Sequence, residues 1–190
     1  MQLKAILKNG NIVKGESQIP KEAIKQKSPI ERLMLEPEDA VPLKEALDAI
    51  KEADAIVMGP GSLYTSVIPN FLINKIADKV QNSKCKVFYV CNIMTQPGET
   101  DDYNVLDHVN AIKKHIGRNI IDYVIVNNRI LSNDEISKYL KEGSQQVVLD
   151  DEQVKKLEED GIKIISDDFI EIGYCPLYLV TMFLRFFISR

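Results

Sequence analysis

The chain is poor in cysteine: Cys85, Cys91 and Cys175 are three in 190 residues, with no CxxC pair. That excludes a disulfide framework and a cysteine-built zinc site. Cys85 and Cys91 flank an apolar run and read as buried thiols suited to a reducing compartment. The chain also lacks an excess of positive charge. Lys and Arg number 24 against 28 Asp and Glu, a formal charge of −4, and no Lys/Arg cluster stands out. This argues against a nucleic-acid binder that works by neutralising phosphates. Aromatic residues are not interleaved with basic ones, so no stacking platform for single strands is indicated. There is no charged-then-apolar leader pattern at residues 1–5. The longest apolar run, 177–188, is interrupted by Thr181 and Arg185 and is too short for a bilayer. The expectation is a soluble cytoplasmic protein without membrane insertion. Walker A and GxGxxG loops, a nucleophile elbow, a Ser-His-Asp arrangement, internal repeats and low-complexity tracts are all absent.

What is present is a change of pattern. Up to about residue 36 the chain reads as extended. Leu3, Ala5 and Leu7 alternate with polar residues, Asn9-Gly10 signals a hairpin turn, and 12–13 begins the return strand. Pro20 and Pro29 punctuate a linker, and 30–35 is a further strand. From about residue 40, helix and strand alternate. Leu43, Ala46, Leu47 and Ile50 share one helical face. Residues 54–58 read as a buried strand ending at Gly59. Ile68, Leu72, Ile76 and Val80 predict one helix after Thr65 and Ser66. Residues 86–91 form the next strand. Val105, Val109, Ile112 and Ile116 mark a helix stopped by Gly117. Strands at 122–126, 146–149 and 162–165 alternate with helices opened by a Ser132/Glu135 capping box and by Asp150/Asp151. Apolar strands separated by helices imply a mainly parallel sheet covered on both faces. The expected class is α/β, a Rossmann-like three-layer fold plus an N-terminal β-hairpin. The expected division is 1–36, packed on a main domain at 37–190. The stretch 176–190 predicts a helix whose only polar stripe is Thr181, Arg185 and Ser189, so protein must surround it; it is a candidate homo-oligomer contact.

In open α/β sheets ligands bind beyond the carboxyl ends of the strands. Two strand-end segments are therefore candidates. The first is residues 59–66, with Gly59 and Gly61 for close backbone approach and Ser62, Thr65 and Ser66 as hydroxyl donors at a helix start. That suits a phosphate or another anion; a tight turn with a Ser/Thr cap is the plain alternative. The second is residues 92–102, longer than the usual βα loop of about 2–6 residues. It offers the amides of Asn92 and Gln96, the hydroxyls of Thr95 and Thr100, and the carboxylates of Glu99, Asp101 and Asp102. Amides and hydroxyls suit a sugar or a nucleobase, while clustered carboxylates could hold Mg²⁺. A solvated loop with Asp101 and Asp102 capping the next helix is the alternative. His108, one turn into that helix, could face the same crevice or the surface. His115, near a helix C-terminus where the dipole favours a cation, is assigned no role.

Read in full, Gly59-Pro60-Gly61-Ser62-Leu63-Tyr64-Thr65-Ser66-Val67-Ile68-Pro69-Asn70, Asn92-Ile93-Met94-Thr95-Gln96-Pro97-Gly98-Glu99-Thr100 and Asp107-His108-Val109 resemble signature segments of the gluconeogenesis factor branch of the CofD-like family. Gly15-Glu16-Ser17 is similar too, and the likeness covers roughly residues 1–172. The resemblance implies a Rossmann-like fold. The family has two kinds of member. One is a cytoplasmic regulator that binds UDP-sugars and is needed for growth and cell shape on gluconeogenic carbon sources, and the long motifs here look like this kind. The other carries out a Mg²⁺-dependent phospholactyl transfer in deazaflavin coenzyme synthesis. The alternatives are this second kind or a non-binding fragment acting only in assembly. By that resemblance Gly61, Ser62, Asn92, Thr95, Gln96 and Glu99 line the ligand crevice, and Gly59, Tyr64, Thr65, Met94, Gly98, Thr100 and His108 complete the candidate set. Two departures stand out. The glycine-rich GGGTG and Asp-Asp-Gly-Gly segments of the family have no counterpart here, so the chain resembles the later portion of a member. Gly173-Tyr174-Cys175-Pro176 stands where the family carries Arg-His-Asp before a proline.

Overall fold

The structure is a computed structural model and describes residues 1–170. It contains two sheets. A small antiparallel sheet has the order β2-β1-β3, from β1 (Gln2–Leu7), β2 (Ile12–Lys14) and β3 (Ile30–Glu36). A parallel sheet has the order β4-β5-β6-β7, from β4 (Ala55–Met58), β5 (Lys86–Val90), β6 (Tyr123–Asn127) and β7 (Lys163–Asp167). The α/β class with a parallel sheet expected from the alternation is the class observed. The hairpin turns at Gly10, whose φ of +87° is open to glycine at little cost. Leu3, Ala5 and Leu7 point to one face, as period-2 alternation requires, and join a core continuous with that of the parallel sheet.

Seven helices lie along the described residues: α1 (Ile19–Gln26), α2 (Lys44–Glu52), α3 (Ile68–Phe71), α4 (Asn74–Gln81), α5 (Val105–Ile116), α6 (Asn133–Lys141) and α7 (Asp151–Glu159). Successive residues of β5 serve opposite faces. Val87 and Tyr89 enter the main core with Val109 and Ile112 of α5 and Leu157 of α7. Phe88 and Val90 join Ile125 in a smaller cluster on the other face. Helix starts follow side-chain chemistry. Asn104 and Ser132 each form a capping box, with Asp107 and Glu135, while Asp150 accepts from the Gln153 amide. Gly117, at φ +79°, ends α5 as expected.

Four expectations are corrected. The stretch around Pro20 is not a linker but α1, because proline in the first helical turn removes no helical hydrogen bond. The single helix expected after Ser66 is a π-turn over Leu63–Val67 followed by α3 and α4, interrupted at residues 72–73. Residues 146–149 form no strand; only Gln146 bridges, antiparallel to Met94. β4 is not a buried strand. It is the edge of its sheet, and Val57 is 45% exposed. Of the thiols, Cys91 is buried and pushed up to about 12 by that burial, while Cys85 is half-buried. Cys175 and the apolar helix expected over 176–190, with the oligomer contact it suggested, lie outside the described residues. Among the described residues no helix is long and apolar enough to cross a membrane.

Candidate functional site

β4 and β5 are adjacent and parallel, so their carboxyl ends point the same way and the loops that follow meet. The first loop turns at Gly59, whose φ is +88°. A Cβ there would lie 3.2 Å from the Val90 carbonyl oxygen, so glycine lets the loop lie against β5. The Ser62 carbonyl then accepts from the amides of Ser66 (2.9 Å) and Val67 (3.0 Å), which winds the π-turn.

The second loop is tied down at both ends. The Thr95 amide donates to the Gln145 carbonyl (2.7 Å), and the Gln145 amide donates to the Thr95 hydroxyl (2.8 Å). The Gln96 amide donates to the Thr100 hydroxyl at 2.8 Å, and the Gln96 carbonyl accepts from Glu99 and Thr100. Gly98, at φ +79°, packs under α1, where a Cβ would fall 2.3 Å from the Pro20 carbonyl oxygen. Sequence reasoning missed Pro20 and Gln145 as supports of this loop. The first hid in a stretch read as extended, the second just before a strand that does not form.

Two contacts join the loops. The Gln96 side-chain amide donates to the Ser62 hydroxyl at 2.9 Å. The Glu99 carboxylate accepts from the Tyr64 backbone amide (3.2 Å) and from the Thr65 hydroxyl (3.0 Å). Glu99 is only 7% exposed. Burial raises its pKa above the ordinary range, opposed by the Thr65 hydroxyl and the Tyr64 amide. So the turn start that the sequence offered to an external anion is served by an internal carboxylate. Behind it, the Tyr64 and Tyr103 hydroxyls lie 2.6 Å apart, and their rings meet edge-on, as do the Tyr64–His115 and Tyr103–His108 pairs.

The remaining candidates separate. Met94 bridges to Gln146. His108 does not open on the crevice. It is fully buried, its Nδ1 is 2.8 Å from the Asn104 carbonyl, and burial lowers its pKa. Two side-chain oxygens of the second loop, Asn92 Oδ1 and Gln96 Oε1, are buried and have no hydrogen-bond partner. His115, left without a role, does structural work. Its Nδ1 contacts the Ala111 carbonyl at 2.8 Å and its Nε2 accepts from the Leu33 amide at 3.1 Å. Burial lowers its pKa, so it is not held as a cation by the helix end.

The three carboxylates of the second loop do not gather. Glu99 faces residues 64–65, Asp101 accepts from the Gly98 amide (2.8 Å), and Asp102 accepts from the Gln145 side chain (3.2 Å). Neither aspartate caps the next helix, a role Asn104 takes. Among the described residues no group of three His, Cys, Asp or Glu side chains is placed to hold a metal ion. A hollow of about 310 Å³ lies beside the first loop, against Gly59, Pro60 and Ser66. A larger one, about 430 Å³, lies between β3, residues 71–74 and the end of α5.

A parallel α/β sheet whose adjacent strand ends carry two interlocked, glycine-containing loops defines a Rossmann-like protein with its candidate crevice at those ends. Residues 1–170 match the family described as 2-phospho-L-lactate transferase CofD, and the chain belongs to that family. Among its relatives, the gluconeogenesis factor of Halalkalibacterium halodurans is 44% identical over 86% of this chain and 49% of its own length. That of Bacillus subtilis is 41% identical over 88% and 51%. A relative from Clostridium acetobutylicum is 50% identical over 90% of this chain and 37% of its own. The crystal structure of a UPF0052 family member from Bacillus halodurans superimposes with a TM-score of 0.83 at 42% identity, covering 90% of this chain and 53% of that one. The chain thus spans about half the length of the relatives it matches, or less.

Proposed function

We propose that this chain is a nucleotide-sugar-binding regulatory unit of the gluconeogenesis factor type, acting in the cytoplasm and serving growth and cell shape on gluconeogenic carbon sources. The observation that carries the reading is the interlock of the two loops that resemble the family's signature segments. Ser62 and Gln96 are in hydrogen-bond contact at the carboxyl ends of adjacent parallel strands. Relatives at 41–44% identity bear the name gluconeogenesis factor, and the resemblance of the loops supplies the UDP-sugar. A Mg²⁺-dependent phospholactyl transfer is disfavoured, because the loop carboxylates are separately engaged.

The test is a thermal-shift titration with UDP-N-acetylglucosamine. A ligand at a hundredfold its Kd adds about 2.7 kcal/mol, or about 5–10 °C in midpoint for a domain of this size. No shift at millimolar ligand would remove nucleotide-sugar binding by this chain.

A further inference from the structure

We propose that the two strand-end loops, where Ser62 meets Gln96, recognise the uncharged, hydrogen-donating portion of the ligand and do not hold its phosphates. The proposal rests on the nucleotide-sugar reading above and assigns the chemistry of that site. Three observations carry it.

First, two of the turn-start donors that could serve a phosphate are engaged within the protein. Glu99 takes the Tyr64 amide and the Thr65 hydroxyl. Second, the charge is of the wrong sign. Residues 59–70 and 92–104 contain no Lys or Arg, while the second loop carries Glu99, Asp101 and Asp102. A buried carboxylate at the turn would repel a phosphate rather than draw it in. Third, what these loops leave unmet is acceptor capacity. Gln96 Oε1 and Asn92 Oδ1 are buried without a donor, Gln96 being held with its Nε2 donating to the Ser62 hydroxyl. A buried carbonyl without a donor costs about 1–3 kcal/mol. A ligand presenting O–H or N–H groups would recover that cost; a phosphate, itself an acceptor at neutral pH, would not. Sugar hydroxyls and a nucleobase imide share this chemistry.

The experiment titrates the full chain with UDP-N-acetylglucosamine, uridine, N-acetylglucosamine, UDP and inorganic pyrophosphate at equal concentrations. It then repeats the first ligand on Gln96→Met and Asn92→Leu. Both substitutions keep the approximate side-chain size and remove the unmet acceptor. The expected result is stabilisation by the full ligand and by uridine or N-acetylglucosamine, with none by pyrophosphate. Which of the two fragments acts tells base from sugar. Each variant should bind the full ligand at least about tenfold more weakly. The unliganded midpoint of Asn92→Leu should hold or rise, since an unpaired buried oxygen has gone. Pyrophosphate stabilising as well as UDP would overturn the proposal and leave the functional reading standing. So would two folded variants that bind as tightly as the parent. Failure of the parent to bind UDP-N-acetylglucosamine at all would bring down the functional reading, and this proposal with it.

Discussion

The carboxylate of Glu99 accepts a hydrogen bond from the hydroxyl of Thr65 at 3.0 Å across the gap between the two strand-end loops. Its other oxygen accepts from the Tyr64 amide. A negative charge from one loop therefore caps the turn of the other, where a helix-start dipole favours it. The loops are a single fastened unit, and the fastening residue sits where an external anion would otherwise go.

Glu99 should leave a pH signature. Its pKa is raised in the folded protein, chiefly by burial. Between the unfolded and folded values the native state holds more protons, so its contribution to stability is full below the unfolded pKa and is lost as pH rises through the folded one. Urea unfolding of the parent and of Glu99→Gln should give a difference that shrinks as pH rises from about 4.5 towards neutrality. Glu99→Ala, which orphans the Tyr64 amide, should cost about 1–3 kcal/mol. A parent–Gln difference that grows with pH would contradict the assignment.

Gly98 and Gly10 separate strain from collision. Both have positive φ, +79° and +87°. A Cβ on Gly10 meets nothing within 4 Å, whereas one on Gly98 meets the Pro20 carbonyl oxygen at 2.3 Å and Ile24 Cγ1 at 2.9 Å. Gly10→Ala should cost only the left-handed backbone term of about 1–2 kcal/mol. Gly98→Ala adds overpacking of about 1–3 kcal/mol. Denaturant midpoints at constant slope would show the order.

Legibility in the sequence tracked locality. The Ser132/Glu135 capping box, Gly117 and strand runs such as 86–91 carry their reasons within a few residues, and they stand where expected. Pro20 misled because proline breaks helix interiors but is tolerated in the first turn. Residues 146–149 have a strand-like composition, yet the second loop takes up the hydrogen bonds around them: the Val147 amide donates to the Ile93 carbonyl and Gln145 pairs with Thr95. For the candidate site, the two loops that the sequence brought forward do meet, at Ser62 and Gln96. It did not show Glu99 turning inward, or Asp101 and Asp102 being spent on backbone and side-chain amides. Those outcomes depend on partners 34 or more residues away, or on how the loop folds on itself, and no local pattern encodes them.

His115 gives the opposite pH signature to Glu99. Burial lowers its pKa. The unfolded state therefore holds more protons in the window below about 6.5, and stability falls as pH drops through it. His115→Gln keeps an acceptor for the Leu33 amide but cannot titrate. The stability gap between parent and variant should therefore narrow on acidification from about pH 7.5 to 5.5. His108, buried with its pKa lowered likewise, provides the same sign in His108→Gln. A gap independent of pH would mean that the imidazole is not desolvated as described.

Tyr64 and Tyr103 allow the interlock to be measured as a coupling. Their hydroxyls are 2.6 Å apart, and Tyr64 is 3% exposed. Burial, then the Tyr103 hydroxyl, pushes the Tyr64 phenol well above its ordinary pKa. Tyr103→Phe leaves the buried Tyr64 hydroxyl without its partner, a cost of about 1–3 kcal/mol. In Tyr64→Phe the surviving hydroxyl belongs to the less buried Tyr103, which can turn to water, so the cost should sit nearer about 1 kcal/mol. In the double variant no orphan remains, so its loss should be smaller than the sum of the two, with an interaction energy of about 0.5–3 kcal/mol. Strict additivity in a urea-unfolding cycle would mean that the two hydroxyls do not bond in solution, and that packing, Glu99 and the Gln96–Ser62 bond hold the first loop in place.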